Sequence, residues 1–291
     1  MGIVVAVSDA ERAAGRLSAA TEQTAREALS EFGCVLLRGV FTPATVDALR
    51  SEFNAQWGGL DRTMMAAEAN LPPPNPVLCV GKDRYEILVK MKGALGDPDV
   101  FGNLLLCRFL TRMLDESLKL SGVTVVVSYP GAERQHVHSD LHPLFAEPGL
   151  SASLPAYAIN VSVPLVDVTT DMGPTGIWLG SHLWSRERAP LETECACVEY
   201  HRGDCILIDY RTLHAGLPNK SNAVRPILYM VYARTWFFDE ANHRARPSLD
   251  LAVSDFMALP AYLQALAMRT YSQQMRAQYL TSTIERKNRG S

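Results

Sequence analysis

Val123-Thr124-Val125-Val126-Val127-Ser128-Tyr129 runs through Pro130-Gly131 into Gln135-His136-Val137-His138-Ser139-Asp140, and the fold turns on how this segment is read. β-Branched and aromatic residues crowd its first part, which marks a strand, and Pro-Gly then bends the chain. In extended chain, side chains two apart share a face, so His138 and Asp140 point the same way. Further along, Tyr157 to Leu165, Cys195 to Tyr200, Cys205 to Tyr210 and Pro226 to Ala233 have the same strand character. Pro, Gly, Asp and Asn separate them, a spacing that predicts an antiparallel sandwich or barrel. Strands do not alternate with helices as a doubly wound sheet requires.

Upstream, the pattern turns helical. Thr21 to Glu31 carries Ala25 and Leu29 at helical spacing, and Gly33 is placed to end it. Cys34 to Arg38 reads as a strand. Thr42-Pro43 starts a second helix, with Val46, Leu49 and Phe53 as its apolar face and Gly58-Gly59 as its stop. Pro72-Pro73-Pro74 and Pro76 mark a rigid loop, Tyr85 to Met91 a strand, and Phe101 to Leu120 a strongly apolar helix. At the other end, Pro260 to Leu280 is helical again. The expectation is one domain over residues 1–291, mainly β, with a helical region over about 1–120 and a β core over about 121–237.

Composition narrows the function classes. The chain has 291 residues, 47% of them hydrophobic, so a large core is available. Lys and Arg total 28 against 31 Asp and Glu, a net charge of −3, and no long basic run stands out. Nucleic acid is not an expected partner. Gly2 to Val7 is apolar but short, without a basic lead, and reads as a strand and not a signal peptide. No segment approaches the roughly 18 apolar residues of a membrane span. The cytoplasm is the expected compartment, with all six cysteines reduced. The terminal helices have apolar faces that suit either the barrel or a second copy, so a homodimer stays open.

Two histidines frame the β core. His138-Ser139-Asp140 follows the strand from Val123, and His214 follows the run Cys205 to Tyr210 by a short turn. Two imidazoles and one carboxylate on one face leave adjacent coordination positions open, the arrangement suited to non-haem Fe(II) and dioxygen. His136 has the parity of His138, and on spacing alone either can be the ligand. Arg225, in Asn222-Ala223-Val224-Arg225-Pro226, comes back beside His214 if Leu217 to Asn222 forms a turn. A guanidinium buried there offers a bidentate fork to a carboxylate and is costly without one.

With these residues assembled, the chain resembles the phytanoyl-CoA dioxygenase family of Fe(II)- and 2-oxoglutarate-dependent oxygenases. The likeness lies in Gln135 with His138-Ser139-Asp140, in Gly173-Pro174-Thr175, in Gly180-Ser181-His182, and in Gly203-Asp204 leading to His214 and Arg225. It extends from about Val123 to Phe237. The resemblance implies a double-stranded β-helix, the cupin-like jelly roll, with Fe(II) held by His138, Asp140 and His214. It implies 2-oxoglutarate on Arg225, with Gln135 and Thr175 as hydrogen-bonding neighbours. A lysine from the region before the core serves some family members, and Lys90 is the candidate for that role. Gln135 and His138 differ in strand parity, so both reach one pocket only if the chain bends near Glu133 to His136. Tyr129, Asn160, Tyr232 and Trp236 are candidates for the substrate pocket.

The chemistry implied is oxidation of an unactivated C–H bond with dioxygen, giving succinate and CO2 and ending in hydroxylation, desaturation or ring formation. Met64 to Val80 and Leu141 to Leu154 are apolar enough to close over a hydrophobic molecule, and no basic cluster suits a nucleotide phosphate. A mostly apolar small molecule of natural-product biosynthesis is therefore the expected substrate. A fatty acyl-CoA hydroxylase and a cupin-like metal protein that does not use 2-oxoglutarate are the alternatives.

Overall fold

A computed structural model describes residues 2–271, apart from 142, 143, 146, 148, 186, 240, 241 and 243–245. Its strands, in chain order, are β1 (Val4–Ala6), β2 (Cys34–Arg38), β3 (Val77–Gly81), β4 (Arg84–Leu88), β5 (Lys119–Ser128) and β6 (Ala158–Pro164). After these come β7 (Thr175–Trp178), β8 (Cys195–Ala196), β9 (Cys205–Asp209), β10 (His214–Gly216) and β11 (Arg225–Ala233). An eight-stranded sheet has the order β1-β2-β9-β6-β11-β5-β4-β3, and a three-stranded sheet the order β10-β7-β8. β1 pairs parallel to β2, and every other pairing is antiparallel. The two sheets form the β-helix core, and helices cover the outer face of the larger one.

Strand alternation divides that larger sheet into two chemical faces. Val123, Val125 and Val127 of β5, Ile159, Val161 and Val163 of β6, and Leu228 and Met230 of β11 join the main hydrophobic core. Phe53, Phe101, Phe109 and Leu110 from the helices pack into the same core. The intervening residues, among them Thr124, Val126, Asn160, Tyr229 and Val231, face a cavity instead.

Several local signals act as expected. The helix Ala19–Phe32 starts at Ser18, whose hydroxyl accepts from the Thr21 amide, and ends at Gly33 with φ 72°. A Cβ at Gly33 would lie 2.3 Å from Thr212 Oγ1, so the helix end meets the β9–β10 turn only with glycine there. Thr42 caps Pro43–Gln56 through the Thr45 amide.

Other expectations need correction. The helix expected from Phe101 to Leu120 spans only Leu104–Met113, and strand β5 already begins at Lys119. Asp115 Oδ1 accepts from the Ser117 amide and turns the chain between them. Leu114, Leu118 and Leu120 are buried, but helix and strand bury such a run equally well. The region before residue 119 is not simply helical: it supplies β1 to β4, half of the large sheet. Val77–Gly81 follows directly on the proline-rich loop and pairs with β4. The run from Cys195 to Tyr200 keeps only two strand residues, and the strand from Tyr85 ends at Leu88. Residues 261–271 are helical, and the expected continuation to Leu280 lies outside the described residues.

Candidate metal and anion site

The two candidate ligand histidines pair with one another. His138 N–H donates to the His214 carbonyl at 3.0 Å, and His214 N–H to the His138 carbonyl at 2.8 Å. This antiparallel bridge lays the segment after β5 alongside β10 and sets the imidazole centroids 4.5 Å apart. Asp140 follows with its amide on the Tyr210 carbonyl at 3.1 Å. One ligand atom from each of His138, Asp140 and His214 lies within 4.8 Å of the others, a spacing one ion can bridge.

Hydrogen bonds aim these side chains. His138 Nδ1 donates to the His136 carbonyl at 2.8 Å, and His214 Nδ1 to the Thr212 carbonyl at 3.0 Å. In each ring Nε2 is thereby left as the coordinating atom. Asn160 Nδ2 donates to Asp140 Oδ2 at 3.4 Å, while Asp140 Oδ1 lies 3.4 Å from His214 Nε2. Burial works against the Asp140 carboxylate, but His214, His138 and Asn160 outweigh it and hold its pKa below the ordinary value. Burial and the His214 charge lower His138, whereas Asp140 overrides burial and raises His214. The donor set fits a hard or borderline divalent cation such as Fe(II).

The same cavity, about 710 Å³ in volume, also holds a pair of buried arginines. Arg84 of β4 and Arg225 of β11 both stand opposite Ser128 of β5, so the three form one row across neighbouring strands. All three are buried, at 0%, 1% and 0% exposure. Arg84 Nη2 donates to the carbonyls of Glu133 at 3.1 Å and Leu217 at 2.9 Å, and Arg225 Nη1 donates to Gly173 O. Arg84 Nε and Nη1, Arg225 Nε and Ser128 Oγ find no partner among the described residues. Burial and the neighbouring Arg225 charge push the Arg84 guanidinium down to about 9. Two adjacent buried cations with open donors call for an anion, and a carboxylate matches their geometry.

Backbone geometry makes room for this. Gly216 on β10 is the point of closest approach: a Cβ would lie 2.1 Å from Arg84 Nη1 and 2.5 Å from Gln135 Oε1. Gln135 accepts from the Gly216 amide at 3.0 Å and donates to the Val80 carbonyl at 3.1 Å, which joins the edge of β3 to β10. Thr175, paired with Gly216 across β7 and β10, turns its hydroxyl toward Tyr229. Gln135 and His138 do face one cavity, because residues 131–137 lie outside regular strand.

Of the residues expected at the site, His138, Asp140, His214, Arg225, Gln135, Thr175 and Asn160 line this cavity. His136 lines it too, but its ring stands outside the ligand cluster, 5.1 Å from that of His138. Lys90 is a correction. It lies beyond the end of β4, exposed, with its backbone held by Gln56 and Asp250, and it does not line the cavity, whereas Arg84 of β4 does. Tyr129 and Tyr232 belong to the helix-covered face, where their hydroxyls donate to the carbonyls of Leu60 and Phe101. Trp236 is 63% exposed against Tyr157 and Phe237, not in the cavity. Of Met64 to Val80 only Cys79 and Val80 reach the cavity, and Met65 is core. Part of the stretch from Leu141 to Leu154 lies outside the described residues.

A double-stranded β-helix that brings a His-x-Asp pair, a distant histidine and two buried arginines into one cavity is the architecture of Fe(II)- and 2-oxoglutarate-dependent oxygenases. The chain belongs to the phytanoyl-CoA dioxygenase (PhyH) family, whose profile matches residues 29–227. Dioxygenase aneA of Aspergillus aculeatus is 26% identical over 242 residues, which cover 76% of this chain and 75% of that protein. The iron/alpha-ketoglutarate-dependent dioxygenase ausU of Aspergillus calidoustus is 33% identical over 90 residues, 30% of this chain, and the match spans only 29% of that relative's length. Among solved structures, HygX from Streptomyces hygroscopicus, with nickel, 2-oxoglutarate and hygromycin B bound, shares the fold. It has a TM-score of 0.55 at 16% identity, covering 76% of this chain and 94% of HygX. The epimerase SnoN, in complex with Fe3+, alpha ketoglutarate and nogalamycin RO, gives 0.54 at 17% identity, covering 75% and 85%. No helix among the described residues is long and apolar enough to cross a membrane.

Proposed function

We propose that this chain is an Fe(II)/2-oxoglutarate-dependent dioxygenase that oxidises an unactivated C–H bond of a mostly apolar small molecule in natural-product biosynthesis. One observation carries this: the imidazole–carboxylate cluster and two buried guanidiniums with open donors share a single cavity. His138, Asp140 and His214 would hold Fe(II), which with 2-oxoglutarate and dioxygen supplies an oxidant able to take hydrogen from an unactivated carbon. Arg84 and Arg225 would clamp the distal carboxylate of 2-oxoglutarate, with Ser128 and Thr175 beside it. Asn160 keeps the Asp140 carboxylate oriented. Gln135 joins the edge of β3 to β10 and would brace that wall of the pocket beside the bound diacid. Hydrogen abstraction needs no general acid or base, and the residues serve to position and to exclude water.

The substrate class rests on the apolar cavity floor of Gly122, Val126 and Val231, on relatives named as dioxygenases, and on fold neighbours holding natural products. Hydroxylation, desaturation and ring formation all suit this arrangement. Six free cysteines, two of them buried, accord with a reducing compartment such as the cytoplasm.

Anaerobic reconstitution with Fe(II), followed by 2-oxoglutarate titration and succinate detection on admitting air, tests the proposal. Saturable binding that disappears in Arg225→Ala, together with succinate formation, is expected. Metal binding without 2-oxoglutarate binding would instead make this a cupin-like metal protein.

A further inference from the structure

Beyond the metal and the arginine row, the cavity wall is unbalanced in its hydrogen bonding. Glu86 follows Arg84 by two residues on β4 and faces the same cavity, about 7 Å further along the strand. Its Oε1 accepts from Arg246 Nη2, and the Thr124 hydroxyl also reaches its carboxylate. Arg246 is turned inward: Nη1 donates to the carbonyls of Pro76 and Glu86, Nε is buried without a partner among the described residues, and the side chain is 1% exposed. The Glu86 side chain keeps 29% exposure, on the cavity side.

Other donors around this part of the cavity are likewise engaged. Tyr210 O–H donates to Asp239 Oδ2, Ser139 O–H to the Leu141 carbonyl, and Asn242 Nδ2 to both Asp140 O and Asp239 Oδ2. Asn160 Nδ2 donates to Asp140, while its buried Oδ1 has no partner among the described residues. What this half of the cavity offers a ligand is therefore the acceptor oxygen of the Glu86 carboxylate, beside the apolar floor. His136 at the metal end is able to act either way.

We propose that Glu86 determines substrate specificity: its carboxylate accepts a hydrogen bond from a hydroxyl group on the substrate and so fixes an apolar scaffold over Val126 and Val231. The substrate class is then a hydroxylated apolar small molecule, as opposed to a carboxylic acid or an acyl-CoA, whose anionic oxygens would meet acceptors. This rests on the oxygenase reading above. Arg246 and Thr124 already satisfy part of the carboxylate, and a ketone, ether or hydrocarbon covers its remaining cavity-facing acceptor sites without supplying a donor, which disfavours them against an alcohol.

The test uses the full chain loaded with Ni(II) and 2-oxoglutarate, so that binding is read without turnover. Rigid terpenoid probes in matched form are titrated calorimetrically: borneol, its methyl ether, the ketone camphor, and bornylamine. Wild type is expected to prefer the alcohol to the ether and ketone by roughly 10- to 100-fold, the range for a hydrogen bond to a charged group. Glu86→Gln, close to isosteric, should cut that ratio about tenfold or more while 2-oxoglutarate binding stays unchanged. The double variant Glu86→Leu with Arg246→Met removes the acceptor without stranding a buried cation and should abolish the preference. A merely structural Glu86 would alter stability and leave the alcohol-to-ketone ratio alone, which overturns the proposal. So does a wild-type enzyme that binds 2-oxoglutarate yet shows no alcohol preference, binds no alcohol, or selects the amine. Loss of 2-oxoglutarate binding itself counts against the oxygenase reading, and the same titration reports it.

Discussion

Replacing Arg84 with methionine should leave the metal-free protein about as stable as before and yet remove most of its response to 2-oxoglutarate. The guanidinium is wholly buried beside Arg225, with Nε and Nη1 unpartnered, so the empty fold bears an uncompensated charge. Arg84→Met relieves that cost and leaves the carbonyls of Glu133 and Leu217 without a donor. These effects oppose one another, each of order 1–3 kcal/mol, so the net change is expected within about 1 kcal/mol. Binding is a different matter. A charge-assisted pair of bonds to a carboxylate is worth about 3 kcal/mol, or roughly 100-fold in affinity. With Ni(II) in place and 2-oxoglutarate at about 100 times the wild-type Kd, ligand stabilises wild type by about 2.7 kcal/mol and the variant by only about 0.4. In a chain of this size that is a Tm rise of roughly 4–5 °C against under about 1 °C. Differential scanning fluorimetry with and without 2-oxoglutarate reads both quantities, and Lys90→Ala, at an exposed position, serves as the unaffected control. An Arg84→Met protein that keeps the full ligand-induced shift would refute the placement of the diacid between the two arginines.

Three other outcomes follow from the same geometry. Gly216→Ala sets a methyl group where Arg84 Nη1 and Gln135 Oε1 now lie, so thermal melts should show a loss of about 1–3 kcal/mol and titration a failure to bind 2-oxoglutarate. Metal affinity should fall as pH falls: His214 must be neutral to coordinate, and its pKa is raised above the ordinary 6.5, so protons compete earlier than at a free imidazole. Co(II) titrations between about pH 8 and 6 should lose up to about tenfold per unit below that raised value, and a flat profile would contradict the assignment of His214. Tyr232→Phe, which removes the hydroxyl's bond to Phe101 O and its weaker contact with Met230 Sδ, should cost about 1 kcal/mol in denaturant melts and leave 2-oxoglutarate affinity untouched.

The metal ligands were legible because their signal is local or ordered along the chain. His138 and Asp140 share parity, and His214 and Arg225 follow at the ends of recognisable strands. Parity also contained information that went unused. Tyr129 continues the series Val123, Val125, Val127 that feeds the helix-covered core, so its burial there is the ordinary consequence of alternation. Tyr232 likewise keeps the parity of Leu228 and Met230, and the register shift between Val231 and Tyr232 is taken up by an extra residue on β5, Ser121, so its burial also follows from alternation along β11. Trp236 lies past the end of β11, where strand parity gives no guidance.

Arg84 and Glu86 were out of reach for a different reason. They stand on the cavity face of β4, but that face is defined only when β4 lies between β3 and β5, and β3 follows directly on a proline-rich stretch. Lys90 has the same parity as Arg84, and choosing between them requires knowing that the strand stops at Leu88. The arginine row is a product of pairing: residues 84, 128 and 225 come into line because β4 and β11 both take the Ser128 register on β5. A slip of one residue on either side of β5 would turn one guanidinium into the hydrophobic core and leave the other facing the cavity alone. The arginine row therefore depends on strand register as strictly as the metal-ligand cluster depends on the spacing of His138 and Asp140. This is why the bend over residues 131–137, which frees Gln135 to brace Gly216 against Arg84, matters as much to the chemistry as any ligand.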